Sequence, residues 1–391
     1  MIQYARRSDR AEYAQLLEAA HRVCADLSSG LDPRTSRPDA VATLSSHAAS
    51  TTPRKLGRRY ATGEKCGVAG VPETPGRLAV EVWLELETRC NLTCKFCYNY
   101  WKDGQSPTPQ RLGTRQVLNA LDQVFDAADC TQITVSGGEP LLRRDLPEIL
   151  AYIRRFGVPT VVTTNGTLLT PARVAMLVET GVATVQLPLH AVRPPVHDYL
   201  TGRPSWEDTI IGLAMLHRQS MATAVTFVAS SVNLGDFPAV VHLCGMLGLR
   251  HVIFNRFVPS GLGLLHRDEI GVPADEDLLP VLRMADAIAG EWGMAIHLGT
   301  PIEMPITCQD SMPRVRVGSC PVATGQRRWT IGADGSLRRC NHSARTFSNL
   351  LVDGSGAWID ELASSGPRHP ENRIEPCQFI QPQRLVQLSM R

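Results

Sequence analysis

Three cysteines, Cys90, Cys94 and Cys97, fall within eight residues in the stretch LELETRCNLTCKFCYNYW, at the spacing Cys-x3-Cys-x2-Cys. Thiolates that close can converge on one inorganic centre. Zinc usually takes four ligands, and its structural sites tend to pair two such knuckles, so a set of three with no fourth Cys or His nearby suits zinc poorly. A [4Fe–4S] cluster held by three cysteines keeps one iron open, whereas electron-carrier clusters usually have four protein ligands. The open iron implies chemistry. A second group follows in TVSGGEP, where Gly137 and Gly138 let the backbone approach a ligand and the Glu139 carboxylate suits an ammonium group. Taken singly these residues have plainer readings: Phe96 as core, Glu139 as a helix-start carboxylate, and Gly-Gly-Glu-Pro140 as a tight connection.

The elements that must position these groups are legible from residue 78 to 300. Six short β-branched runs (LAVEVWLELE, TQITVSG, VPTVVTT, VATVQLPL, ATAVTFVAS and HVIFNRFV) alternate with six amphipathic helical stretches, from TRQVLNALDQVFDAA to EDLLPVLRMADAIAGEW. Such alternation predicts parallel strands joined by right-handed crossovers, as an open sheet or an incomplete version of the eight-unit barrel. Functional groups in both collect at the carboxyl ends of the strands. The first strand stops near Thr88, which puts all three cysteines on the loop after it. Gly137 to Pro140 end the second strand, Thr164 and Asn165 the third and Pro188 and His190 the fourth, and Asn233 follows the fifth. His190 reads equally as a satisfied polar contact or a ligand, and Asn233 equally as turn chemistry.

At these residues the sequence resembles the radical S-adenosylmethionine (SAM) enzymes, whose signature is Cys-x3-Cys-x-aromatic-Cys on the loop after the first strand of a partial (β/α)6 barrel. Cys90, Cys94, Phe96 and Cys97 match it position by position. The resemblance implies a cluster whose open iron chelates the amino and carboxylate groups of SAM, and an electron from the cluster that cleaves the sulfonium to a 5′-deoxyadenosyl radical. It implies that Phe96 packs near the adenine and that the turn Gly137-Gly138-Glu139-Pro140 holds the SAM amino group. Thr164, Asn165, His190 and Asn233 would offer further cofactor contacts, although relatives often carry a hydroxyl residue for the ribose where this chain has Pro188 and His190.

Beyond residue 300 stand Cys308, Cys320, Cys340 and Cys377, and WTIGADGSLRRC reads as a β-hairpin with Cys340 on its returning strand. This resembles the Cys-x(9–15)-Gly-x4-Cys element of SPASM and twitch extensions, with Gly335 and Cys340 in place. The dense later cysteine set of the full SPASM form is absent, so the resemblance implies the twitch form: one auxiliary [4Fe–4S] cluster with Cys308, Cys320, Cys340 and Cys377 as ligands. Scattered structural cysteines or a zinc site remain the alternative. The expected organisation is therefore an α/β fold in three parts: residues 1–77, a helix and loosely ordered arm; 78–300, the partial barrel; 301–391, the auxiliary-cluster domain.

Of the eleven cysteines, Cys24, Cys66, Cys130 and Cys244 are left over. Cys130 and Cys244 read as packing residues. Cys66, in a Gly/Pro-rich segment with no core period, ranks first as a catalytic hydrogen-atom donor, with Cys244 second.

A net charge of +2 and no basic run give no footprint for nucleic acid. No apolar run approaches the roughly 20 residues of a spanning helix, and the N-terminus does not read as a signal peptide, so the expected address is the cytoplasm. Twitch relatives more often act on small molecules. The favoured expectation is hydrogen abstraction from a sugar, cyclitol or sugar-bearing natural product, as epimerase or dehydrogenase, in specialised-metabolite or antibiotic biosynthesis, with a flavodoxin- or ferredoxin-type electron donor. Maturation of a ribosomal peptide is the runner-up, and a non-catalytic iron–sulfur electron carrier is the alternative from another class.

Overall fold

The six expected strands all form, and in sequence order. A computed structural model of the chain describes residues 12–48, 77–300, 302, 310–318, 328–354 and 356. β1 (Ala79–Glu87), β2 (Asp129–Gly137), β3 (Thr160–Thr163), β4 (Thr184–Pro188), β5 (Thr223–Ala229) and β6 (His251–Arg256) lie side by side, each parallel to the next. Two more parallel strands, β7 (Ala295–Leu298) and β8 (Val315–Val317), extend the sheet beyond β6. Sequential order with right-handed crossovers puts the connecting helices on one face of the sheet and leaves the other as the inside of a curl.

Side-chain alternation bears this out. Val80, Val82, Leu84 and Leu86 of β1 are buried in the main hydrophobic core with Ile133, Val135, Val162, Val185, Leu187, Val225, Phe227, Val252 and Phe254 of the following strands. The intervening positions, pointing the other way, include Glu81, Glu85, Gln132, Thr134, Thr163 and Gln186. That second set is largely polar on the first four strands, with Trp83 and Val161 among its apolar members there. The outer face thus supplies the hydrophobic stabilisation, and the inner face is free for ligand chemistry.

Two features differ from the sequence expectation. Residues 29–48 are not a loose arm: the helix Pro38–Ala48 packs with the expected N-terminal helix, Ala14–Ser28, on the barrel helices Trp206–Arg218 and Phe237–Met246, and the short helix Pro33–Ser36 packs against those two. The polar composition hid a short apolar seam, Leu16, Ala20, Val23, Cys24, Ala40 and Leu44, all buried. The C-terminal hairpin, expected within the part 301–391, joins the same sheet. β9 (Arg328–Ile331) joins the free edge of β1 in parallel, and β10 (Ser336–Arg338) and β11 (Ser348–Asn349) follow antiparallel, so one eleven-stranded sheet runs through. Gly335, at φ +83°, makes the hairpin turn. No described helix is long and apolar enough to cross a membrane.

Candidate active site

β1 ends at Glu87, whose fully buried carboxylate turns the chain into the cysteine loop. Its Oε1 accepts from the backbone N–H groups of Thr88 and Arg89, both at 3.1 Å, while the Arg89 guanidinium closes on Oε2 at 2.9 Å. The loop is then pinned from several sides. Thr93 N and Lys95 N donate to the carbonyls of Thr201 and Leu200, Gly263 N donates to Cys97 O, and the Trp101 indole donates to Thr88 O. Cys90, Cys94 and Cys97 are partly buried on this loop. Burial pushes all three thiols above their ordinary pKa; the neighbouring sulfurs add to this at Cys90 and Cys94, and Lys102 opposes it at all three. The thiols therefore feel one another, although among the described residues no three His, Cys, Asp or Glu side chains are arranged as a ligand set.

The expected glycines are needed for a close approach to the protein's own backbone. Gly138 N donates to Glu87 O at 2.6 Å and Glu139 N to Arg89 O at 2.9 Å, so the turn after β2 is stitched to the backbone leading into Cys90. A Cβ on Gly138 would lie 2.0 Å from Arg89 O, and one on Gly137, at φ +113°, 2.5 Å from Glu87 O. The close approach that the structure shows is backbone to backbone. Pro140 then starts a single 3-10 turn, Pro140–Leu142, with Pro140 and Leu141 buried.

Glu139 is completely buried, and three donors converge on it. Oε1 accepts from Leu141 N at 3.0 Å and Thr164 Oγ1 at 2.7 Å, and Oε2 accepts from Asn165 N at 2.8 Å. Burial raises its pKa and these bonds oppose the rise. A carboxylate offers about four lone-pair positions, so one, on Oε2, is left for an ammonium group. That vacancy and the shared thiol loop are what a SAM-bound cluster would need, so the donor set fits the expected group.

Asn165 extends this linkage to the cysteines: its Nδ2 lies 2.8 Å from Asn91 Oδ1 and 3.8 Å from Cys90 Sγ. On the other side, Phe96 stands edge-on to His190, ring centroids 4.4 Å apart. His190 is buried; its Nδ1 accepts from Val228 N at 3.1 Å, which fixes the proton on Nε2, and that atom has no partner among the described residues. Burial holds His190 well below the usual histidine pKa, with His197 adding to it, so this is a neutral N–H donor beside the expected adenine position. Asn233 has nothing to spare. Its Oδ1 takes Ser230 N and Oγ, and its Nδ2 serves His190 O and Val228 O, which makes it the clamp that holds His190 in place.

Comparison with known proteins favours the radical reading over the zinc and carrier ones. Residues 84–244 match the family described as the Radical SAM superfamily. The chain contains a radical SAM domain. The cofactors of such a domain are a [4Fe–4S] cluster and SAM. Over 194 residues the chain is 33% identical to AdoMet-dependent heme synthase of Methanosarcina barkeri, covering 49% of this chain and 54% of that protein. It is 29% identical over 184 residues to Fe-coproporphyrin III synthase of the same organism, covering 47% and 45%. The chain thus spans about half the length of the curated relatives it matches. The fold is similar to that of Streptococcus suis SuiB bound to S-adenosylmethionine, at TM-score 0.56 and 16% identity over 73% of this chain and 66% of that one. It is also similar to anSMEcpe with bound AdoMet and Cp18Cys peptide, at TM-score 0.54 and 15% identity over 75% and 85%.

The C-terminal hairpin meets the radical SAM domain through residues that the motifs did not single out. Arg338 of β10 and Glu85 of β1 form an ion pair with both side chains fully buried, and the guanidinium lies 4.8 Å from the Tyr100 ring. Burial lifts the Glu85 carboxyl to about 7 against the pull of Arg338. Tyr98, next to Cys97, faces His342 at 5.1 Å, and His342 N lies 3.4 Å from Cys340 Sγ. Cys340 sits two residues past the end of β10, not on the strand. One signal was available: period-two alternation puts Glu81, Glu85 and Glu87 on one face of VEVWLELE, too many carboxylates for an idle surface.

Cys308, Cys320 and Cys377, expected as auxiliary ligands, and Cys66, expected as hydrogen donor, lie outside the described residues. Cys244 is corrected as a donor. It is fully buried in the main hydrophobic core on the helix Phe237–Met246, on the face of the sheet opposite the polar inner one, and burial drives its thiol pKa far up. An apolar residue period masked by one sulfur gave no hint of which face it took.

Proposed function

We propose that this chain is a radical SAM enzyme that abstracts a hydrogen atom from a carbon of a polar substrate lying on the inner face of the sheet. The observation that carries the proposal is the unbroken linkage at the strand ends: the glycine turn stitched to Arg89, Glu139 bound to Thr164 and Asn165, and Asn165 reaching Cys90. Cys90, Cys94 and Cys97 would hold the cluster, Glu139 the SAM amino group, and Phe96 with His190 the adenosyl group. A cluster and SAM held there would supply the one-electron cleavage of SAM that makes hydrogen-atom abstraction possible. The chain's own residues bind, orient and shield. The test is iron content and 5′-deoxyadenosine formation after anaerobic reconstitution: replacing all three cysteines by Ala removes that cluster and all SAM cleavage, and retained cleavage sinks the reading.

For the substrate we favour a sugar, cyclitol or sugar-bearing natural product, epimerised or oxidised. The inner face supports this, since Gln132, Thr134, Thr163 and Gln186 present hydroxyl and amide groups suited to a hydroxylated ring. An auxiliary cluster held by Cys340 with Cys308, Cys320 and Cys377 would serve as electron acceptor in an oxidation, and Cys66 as donor in an epimerisation. A second reading, a peptide or a tetrapyrrole, draws on the relatives named above. Substrate-stimulated 5′-deoxyadenosine formation across aminocyclitols, a short peptide set and Fe-coproporphyrin III separates them.

A further inference from the structure

The amide of Asn165 is locked in one orientation, and that orientation aims it at a sulfur. Its Oδ1 accepts from Thr167 N at 3.0 Å and from Thr167 Oγ1 at 2.7 Å. A backbone N–H can only donate, so the oxygen must face Thr167 and the NH2 must face the other way. The two Nδ2 hydrogens then go to Asn91 Oδ1 at 2.8 Å and to Cys90 Sγ at 3.8 Å. Asn91 Nδ2 returns a bond to Thr167 Oγ1 at 2.7 Å, closing a ring of three side chains, and the Asn165 peptide N–H is anchored on Glu139. Leu92 N supplies a second N–H to the same sulfur at 3.5 Å.

We propose that Asn165 is a positioning residue that tunes the reduction potential of the cluster through Cys90, in place of the direct contact to SAM expected from the sequence. This rests on the reading of Cys90 as a cluster ligand. Hydrogen bonds to cluster sulfurs stabilise the more electron-rich, reduced state, so they raise the potential. The ring around Asn91 and Thr167 holds the donor fixed, so it acts whether or not SAM is bound. It also couples the turn that Glu139 organises to the sulfur that receives charge on reduction.

The experiment is a spectroelectrochemical titration of reconstituted full-length protein, following the reduced-cluster EPR signal that changes on addition of SAM. Asn165→Ala removes the donor. Asn165→Asp keeps the bonds from Thr167, and so the ring on that side, but turns an oxygen towards the sulfur. Both are expected to retain the iron of wild type and to lower the ratio of reduced to oxidised cluster at fixed potential, by roughly three- to tenfold for Ala and more for Asp. A tenfold change corresponds to a shift of about 59 mV for one electron. Loaded variants with unmoved potentials, or potentials moved to more positive values, overturn the proposal alone. A wild-type protein that holds no iron on Cys90, Cys94 and Cys97 overturns the cluster reading and this inference with it.

Discussion

Glu139 and Thr164 stand at the ends of neighbouring strands, and the threonine hydroxyl donates to Glu139 Oε1 across 2.7 Å. The residue expected to greet a ligand is thus also the joint between β2 and β3. Three of its hydrogen bonds are made within the protein, before any cofactor arrives.

Glu139→Ala should therefore destabilise the protein even without SAM. Losing three bonds to a buried carboxylate costs about 3 kcal/mol, read as a lower midpoint in urea unfolding of the apo protein. Glu139→Gln keeps an acceptor for Thr164 and Leu141 and should weaken SAM binding more than it weakens the fold. An Ala variant as stable as wild type would mean that the carboxylate is held for the ligand alone.

Gly138→Ala tests the stitched backbone. Its Cβ would meet Arg89 O at 2.0 Å and Arg89 C at 2.6 Å, and neither atom belongs to a flexible side chain. The segment entering Cys90 must move, so iron uptake on reconstitution should fall sharply along with the melting temperature. Gly235→Ala, with nothing within 4 Å of its Cβ, should leave both unchanged. Equal iron uptake in the two variants would show that the loop tolerates displacement.

The strands and their order could be read from the sequence because each is a short apolar run bounded by turn residues, and the cysteine and glycine motifs fell at strand ends as that order requires. Less legible was whatever depends on contacts distant in sequence. Nothing local marks Arg338 as the partner of Glu85, 253 positions away, or Asn233 as the clamp of His190. The helices Pro33–Ser36 and Pro38–Ala48 are not legible in the sequence because their composition is polar and the apolar seam is narrow. The motif marks Gly137 and Gly138 as a place of close approach, and only the packing shows that they approach Glu87 and Arg89.

The Glu85–Arg338 pair predicts a pH-dependent defect. Removing one member of a buried pair leaves the other charge uncompensated, at a cost of about 3–5 kcal/mol. Arg338→Met strands Glu85, whose folded pKa is already raised from 4.5 to about 7. A raised carboxyl pKa means that the folded state holds the extra proton, so stability falls as pH rises through that window. The variant should be closer to wild type at pH 5 than at pH 8 in urea unfolding. Adding Glu85→Leu should recover much of the loss and flatten the pH dependence, whereas a pH-independent defect would count against a buried carboxylate as its cause.

His197 predicts the opposite trend. Burial lowers its pKa from 6.5 to about 3, and its Nδ1 accepts from His190 N at 3.2 Å. The unfolded chain takes up the proton first, so stability present above pH 6.5 is lost progressively as pH falls towards 3, reaching roughly 2 kcal/mol at pH 5. His197→Asn can keep an acceptor for the His190 N–H while removing the titration. Glu85 works in the reverse sense over much of the same range, so the quantity to measure is the difference between variant and wild type at each pH. That difference should shift in favour of Asn by about 2 kcal/mol between pH 7 and pH 5. A constant difference would mean that His197 is already solvated in the folded state and that the burial around His190 and Phe96 is not what sets its charge.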